Sequence, residues 1–456
     1  MHTNSLCEHF ITYVEISPAV KIYLYDTQEA HENLLPLSFT RPVADFRCGI
    51  LTIREKWERY LPGEYSYYPV EYLRDKFGTV ENQHHEALFI PGNLLPRPEY
   101  VNLALSLIPD NQSSTPHTSS PTSNPGIFYG NLEQFLLYLE NNPQAPNTSS
   151  LTYVFDIFLK NPEEIKRDFD LITAGRQSQP LPDCVRTLCP QSYTGEEVSR
   201  LPQETKNERD FSQNPHSNPN ELSMVNPGVS VPGNPSIFIE EGASVECATI
   251  NINEGPVYIG KDSSLMEGAC IRGPFALCEG AEIRMGAKIY EGTTVGPHCK
   301  VGGEVANTVF FGYSNKAHDG YLGNAVIGEW CNIGAGTNAS NLKNDYSLIR
   351  VWNYRTKSFM KTDLQFCGLI MGDHSKIGVN CMINTATVIG VGVNLHGSGF
   401  PRVYLSNFTE GSPSSGFSDV PAKKFIDTAT RVMSRRHLIP SPEYLRLLHH
   451  LMEPES

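Results

Sequence analysis

Residues 257–301 read VYIGKDSSLMEGACIRGPFALCEGAEIRMGAKIYEGTTVGPHCKV, and in them Ile259, Leu265, Ile271, Leu277, Ile283, Ile289, Val295 and Val301 recur every six residues. If about a fifth of residues were Ile, Leu or Val, chance would give such a run with a probability of ~10⁻⁶ per start. Two residues before each stands Val257, Ser263, Ala269, Phe275, Ala281, Ala287, Thr293 or Cys299, mostly small. A small residue beside an inward aliphatic at each sixth position is the signature of a parallel β-helix, a prism whose chain turns a tight corner at every step. The register resumes at Ile327 and Ile333, then at Ile377, Ile383, Ile389 and Leu395, so the prism is predicted to cover most of residues 237–400.

Two intervals break the register. Val301 to Ile327 is 26 residues, four hexads plus two, and Ile333 to Ile377 is 44, seven hexads plus two. The surplus in each is expected to bulge outward, because insertions into a prism survive only as loops. Both stretches are polar. The second, between Asn341 and Leu364, carries Arg350, Trp352, Tyr354, Arg355 and Lys357. It reads either as a cover over a ligand groove or a contact to a neighbouring subunit, or as a solvated hairpin.

Working back toward the N-terminus, composition changes twice. Residues 198–235 are polar and proline-rich, the character of a linker or crossing segment. Before it, the apolar runs Val20–Tyr25, Ala87–Ile90 and Leu151–Phe155 alternate with helix-like stretches at 50–61, 132–139 and 162–171, predicting an α/β domain with a partly parallel sheet. Asp110 to Pro125, rich in Ser, Thr, Pro and Asn, is expected to be a surface insertion. After Pro421, Phe425, Ala429 and Met433 at four-residue spacing, then Leu445, Leu447, Leu448 and Leu451, predict a helical tail. The divisions are 19–197, 198–235, 236–412 and 413–456.

Composition restricts the function classes. A chain of 456 residues is long enough for several cores, and 36 Lys and Arg against 50 Asp and Glu leave a net charge of −14. That balance disfavours electrostatic capture of nucleic acid or anionic membrane. Eleven cysteines with no CxxC pair read as reduced thiols, and the N-terminal residues lack a secretory pattern, so a cytoplasmic protein is expected.

The first break reads Ser314-Asn315-Lys316-Ala317-His318-Asp319-Gly320-Tyr321-Leu322-Gly323-Asn324-Ala325, followed by Asn332-Ile333-Gly334-Ala335-Gly336-Thr337. It resembles the acetyltransferase half of the bacterial bifunctional enzymes that acetylate glucosamine-1-phosphate and then uridylylate it. The His-to-Tyr spacing is kept and one residue before His is missing. The resemblance implies a left-handed β-helix and acetyl-CoA as co-substrate, with His318 taking the proton from the attacking sugar amine, a task suited to a side chain that titrates near neutrality. It also implies that Tyr321, Asn332 and Asn341 contact the sugar, and that the assembly is a homotrimer. From charge and neighbourhood alone, Lys316, Lys343 or Arg284 are candidates to neutralise the sugar phosphate. An arginine that the family carries after Gly-Pro-Phe-Ala is replaced around Leu277-Cys278-Glu279.

At the other end, Asn33–Asp45 (NLLPLSFTRPVAD) and Gly49–Trp57 (GILTIREKW) resemble a divergent sugar nucleotidyltransferase group. That resemblance implies a Rossmann-like domain using UTP and Mg²⁺. The usual glycine-rich loop is absent, Val43 stands where the family has a lysine, and Asn93 replaces the carboxylate of its Gly-Asp-x-Pro turn. Triphosphate charge is then expected to fall to Arg41, Arg47, Arg54 and Lys56, although Arg54 and Lys56 read equally well as an ordinary charged helix face. Asp26 and Asp156, each ending an apolar run, are the candidate metal ligands. The combined expectation is a bifunctional enzyme making UDP-N-acetylglucosamine; the alternatives are a nucleotidyltransferase with a purely structural β-helix and a non-catalytic sugar-nucleotide binder.

Overall fold

A computed structural model describes residues 20–109, 124–142, 147–189 and 236–453. The expected linker at 198–235 lies outside them, as does nearly all of the 110–125 insertion. The N-terminal sheet has the order β2–β1–β3–β4, with β1 at Lys21–Tyr25, β2 at Glu64–Tyr68, β3 at Ala87–Pro91 and β4 at Phe128–Gly130. The first three strands are parallel and β4 is antiparallel. Its helices include α1 (Gln28–Asn33) and α2 (Ile53–Tyr60), the latter opened by a capping box between Thr52 and Glu55. The apolar run at 151–155 is a turn and not a strand, because the Asp156 carboxylate accepts the N–H groups of Thr152 and Tyr153 and starts α3 (Asp156–Thr173).

The repeat region forms a parallel β-helix with three faces, each a ladder of successive coils. Face A carries Lys300–Val301, Asn315–Lys316 and Asn332–Ile333; face B carries Glu304–Ala306, Tyr321–Gly323 and Asn338–Ala339; face C carries Thr293–Val295, Val309–Phe310 and Val326–Ile327. The inward series fills one continuous core.

The first register break is not a bulge. From Val301 the inward positions are Val305, Phe310, Lys316, Leu322 and Ile327, five steps of 4, 5, 6, 6 and 5 residues. The 26 residues are therefore a shortened five hexads, made possible by the tight Gly302–Gly303 corner, where Gly303 has φ +74°. The second break is a true excursion between Ala339 and Met371 and includes the hairpin Arg350–Asn353 with Ser358–Lys361. That hairpin is neither free in solvent nor spread over a groove. Ile349 and Val351 are buried in the N-terminal core, Tyr354 packs edge-on against Phe39, and Asn353 donates to Asn33.

The N-terminal domain sits on face C, whose outward residues Ala276, Thr294, Val309, Val326 and Ile370 are all fully buried. Asn161 of α3 fastens the contact: its amide donates to Gly292 O (2.7 Å) and Thr294 Oγ1 (3.0 Å) while its carbonyl accepts from Gly49 N (2.6 Å). Two expected boundaries move. Strand Arg186–Leu188 pairs with Thr249–Asn251 on face B, so the chain joins the β-helix before residue 197. Cys184 and Cys247 form a disulfide there, against the expectation that every cysteine is a free thiol. At the other end Thr409–Ser412 and Gly416–Asp419 still belong to face A, and the helical tail begins at α4 (Ala422–Ser434), followed by α5 (Pro442–His450). Phe425, Met433, Tyr444 and Leu448 pack with Trp330 and Val391 of the β-helix, and the Tyr444 hydroxyl meets His374 Nε2 at 2.7 Å.

Candidate functional site

Residues 317–320 turn the corner between faces A and B, and Gly320 permits it: at φ +123° a Cβ would lie 2.1 Å from Thr337 O. His318 stands exposed on this corner, and no described residue hydrogen-bonds its ring. Beyond it Tyr321 begins the face B strand, its N–H donating to Asn338 Oδ1 (2.8 Å). The Asn341 amide donates to the Tyr321 hydroxyl (3.0 Å) and to Asn324 Oδ1 (2.7 Å), which fixes the ring across the outer surface of face B. His318, Tyr321 and Asn341 thus share the rim and outer side of one face. Asn332 is exposed on face A, next to Asn315 in the ladder; Asn315 accepts from Arg436 of the tail (3.1 Å).

The three candidate phosphate cations differ. Lys316 is 2% exposed and occupies an inward position beside Val301, so it faces the prism core and not a sugar phosphate. Its ammonium donates to the carbonyls of Gly302 and His318, both at 2.9 Å. Burial brings its pKa down to about 8, against the opposing pull of Asp319. Lys343 is tied within the excursion to Leu348 O (3.0 Å). Of the three, Arg284 is the cation left beside the His318 corner: a Cβ on Gly302 would lie 3.0 Å from Arg284 Cβ, and among the described residues the guanidinium reaches only Glu282 (3.0 Å).

The four N-terminal cations do not present a free phosphate cradle. Arg41 is 6% exposed and reaches across to the corner between faces C and A, pairing with Asp373 and with Glu329 (2.8 Å). Burial opposes its charge, and those carboxylates more than offset it. Arg47 is buried against Ile50 O and Glu55. Arg54 is half-exposed between Asp45 (3.4 Å) and Glu58 (3.2 Å). Lys56 is 1% exposed, held by Glu164 (2.7 Å) and Asp168 (2.6 Å). The sequence signal that was missed is the pair Glu164 and Asp168, one turn apart on α3, facing a lysine on α2. Arg41 and Arg54 do line one cleft of about 400 Å³ with Lys76, but Asp45, Glu55 and Glu329 line it too.

The candidate metal ligands are likewise engaged. Asp26, at the end of β1, accepts the Val43 N–H (3.1 Å), and burial pushes its pKa up to about 7. Asp156 caps the turn before α3. Asn93 bolts its turn by donating to Leu151 O (3.0 Å). Among the described residues no three His, Cys, Asp or Glu side chains gather to hold a metal ion. No helix among them is long and apolar enough to cross a membrane.

Residues 22–177 match the family model described as sugar nucleotidyl transferase. The chain is 30% identical over 119 residues to the bifunctional protein GlmU of Methanococcus aeolicus, covering 23% of this chain and 28% of that one. It is 29% identical over 140 residues to GlmU of Trichodesmium erythraeum (30% and 25% covered) and 34% identical over 119 residues to GlmU of Corynebacterium glutamicum (25% and 22% covered). The matches span about a quarter of the length of these relatives. The chain is thus similar to a sugar nucleotidyl transferase model over residues 22–177 and to bifunctional GlmU transferases over the matched segments.

Proposed function

We propose that the β-helix transfers an acetyl group from acetyl-CoA to the amine of glucosamine-1-phosphate. The observation that carries this reading is the exposed His318, whose ring has no hydrogen-bond partner among the described residues while its carbonyl is pinned by Lys316, with the Tyr321–Asn341–Asn324 chain on the adjoining face. The amine nitrogen attacks the thioester carbonyl while the His318 imidazole accepts its proton, giving a tetrahedral intermediate. Collapse breaks the C–S bond, and the CoA thiolate leaves with the proton returned by His318. Tyr321, Asn341 and the exposed Asn332 position the sugar, and Arg284 meets its phosphate. In the same reading the working unit is a cytoplasmic homotrimer.

A second reading is favoured by the match of residues 22–177 to a sugar nucleotidyl transferase model. N-acetylglucosamine-1-phosphate would attack UTP in the N-terminal domain, yielding UDP-N-acetylglucosamine and pyrophosphate. Against it stands the engagement of Arg41, Arg47 and Lys56 in buried contacts. One assay tests both readings: purified protein with glucosamine-1-phosphate, acetyl-CoA, UTP and Mg²⁺, with thiol and pyrophosphate followed separately. Thiol release that disappears in His318→Ala supports the first reading; pyrophosphate release from N-acetylglucosamine-1-phosphate supports the second. Tight UTP binding without pyrophosphate would turn the N-terminal domain into a binding module.

A further inference from the structure

The inward residues of face A run Val245, Leu265, Ile283, Val301, Lys316, Ile333, Ile377, Leu395 and Gly411. Seven of these nine are aliphatic, and a glycine ends the series. The charged member lies in the coil that turns through His318. A lysine inside a prism of aliphatic side chains is unfavourable unless its donors are satisfied, and nothing in β-helix packing asks for one there. Its two acceptors are both corner carbonyls: that of Gly302 in the coil before, and that of His318 itself, each at 2.9 Å. Gly303 keeps the space open, since a Cβ there would lie 2.8 Å from both Lys316 Nζ and His318 O.

We propose that Lys316 is a positioning residue for the acyl-transfer site, anchoring the His318 backbone from inside the prism so that the imidazole is presented outward at a fixed angle. This rests on the reading of His318 as the base. The neighbouring corner at Gly302–Gly303 serves as the fixed support, because its carbonyl shares the same ammonium. A base held on an exposed four-residue turn needs such an anchor, since displacement by about 1 Å lowers a rate about a hundredfold.

The test uses the full chain carrying Lys316→Met, whose side chain ends one atom short of the ammonium and suits an apolar interior. Lys316→Leu, the residue type of the other coils, replaces it if the first variant does not fold. The expected result is a fall in kcat of roughly tenfold to a hundredfold in acetyl-CoA-dependent thiol release, with KM for glucosamine-1-phosphate and for acetyl-CoA within about twofold of the parent. The melting temperature should hold or rise, and the backbone amides of residues 317–321 should exchange hydrogen at least about tenfold faster. An unchanged kcat, or a kcat lowered only in step with lost folded protein, would overturn the proposal. The exchange arm separates the two failures. If the parent releases no thiol, the functional reading falls, while exchange at 317–321 still decides whether Lys316 anchors the turn; exchange equal to the parent's would overturn that anchoring.

Discussion

Lys56→Met is the perturbation whose consequence the structure sets most tightly. The ammonium lies 2.7 Å from Glu164 and 2.6 Å from Asp168, and all three side chains are at most 3% exposed. Glu164 keeps Arg97 at 2.6 Å, but Asp168 is left with the N–H groups of Ile50 and Leu51 alone. Removing one partner from a buried ion pair destabilises by about 3–5 kcal/mol. At a urea slope of about 2 kcal/mol/M, the middle of that range lowers the unfolding midpoint of the N-terminal domain by about 2 M. Trp57, fully buried beside Lys56 in the same helix, supplies the fluorescence signal. The pH dependence has a definite sign. Burial raises the folded Asp168 pKa to about 6 even with Lys56 present, so this group weakens folding as pH climbs through that value from the ordinary carboxylate range. Without Lys56 the folded value rises further. The deficit of the variant is therefore largest near pH 8 and shrinks on acidification toward about 6, the value below which Asp168 holds its proton in both proteins and needs no cation. A midpoint within about 0.3 M of the parent at pH 8, or a deficit that grows on acidification, would refute the reasoning.

Three further outcomes are expected. Cys184→Ser removes a crosslink spanning 63 residues, which loop-closure arguments value at about 4 kcal/mol; in denatured but unreduced parent protein the eight free cysteines of the described residues should take a thiol label while Cys184 and Cys247 do not. Tyr444→Phe takes away the hydroxyl that meets His374 Nε2 in a buried site, costing about 1–3 kcal/mol and exposing the α4–α5 tail to protease before the β-helix unfolds. Tyr321→Phe and Asn341→Ala should each raise KM for the amino sugar phosphate, and the double variant should lose less than the product of the two, because the groups act through one hydrogen bond; full additivity in a kinetic double-mutant cycle would contradict that coupling.

The β-helix was legible because its core imposes a period, and eight aliphatics in register leave little else to infer. The period also concealed something. Counting back six from Leu322 arrives at Lys316, and six more at Phe310, yet a lysine does not look like core, so residues 301–327 read as an outward bulge instead of a run of short corners. The covering of face C was present in the sequence as well. Its strands FAL, VF and IM are apolar on both sides, whereas Lys288–Ile289 and Asn332–Ile333 alternate polar and apolar. The fate of Arg41 and Lys56 was not legible, since a cation awaiting a phosphate and one paired with a distant carboxylate look the same along the chain. Their partners Asp373 and Asp168 lie 332 and 112 residues away.

The central claim is that His318 is the base of an acetyl-CoA-dependent transfer to an amino sugar phosphate. The measurement that tests it most directly is thiol release from acetyl-CoA with glucosamine-1-phosphate, parent against His318→Ala, with folding matched by circular dichroism. A rate in the parent that falls by about 10²–10⁴-fold in the variant is the predicted result. Equal rates in the two proteins, or no release from the parent, would contradict it.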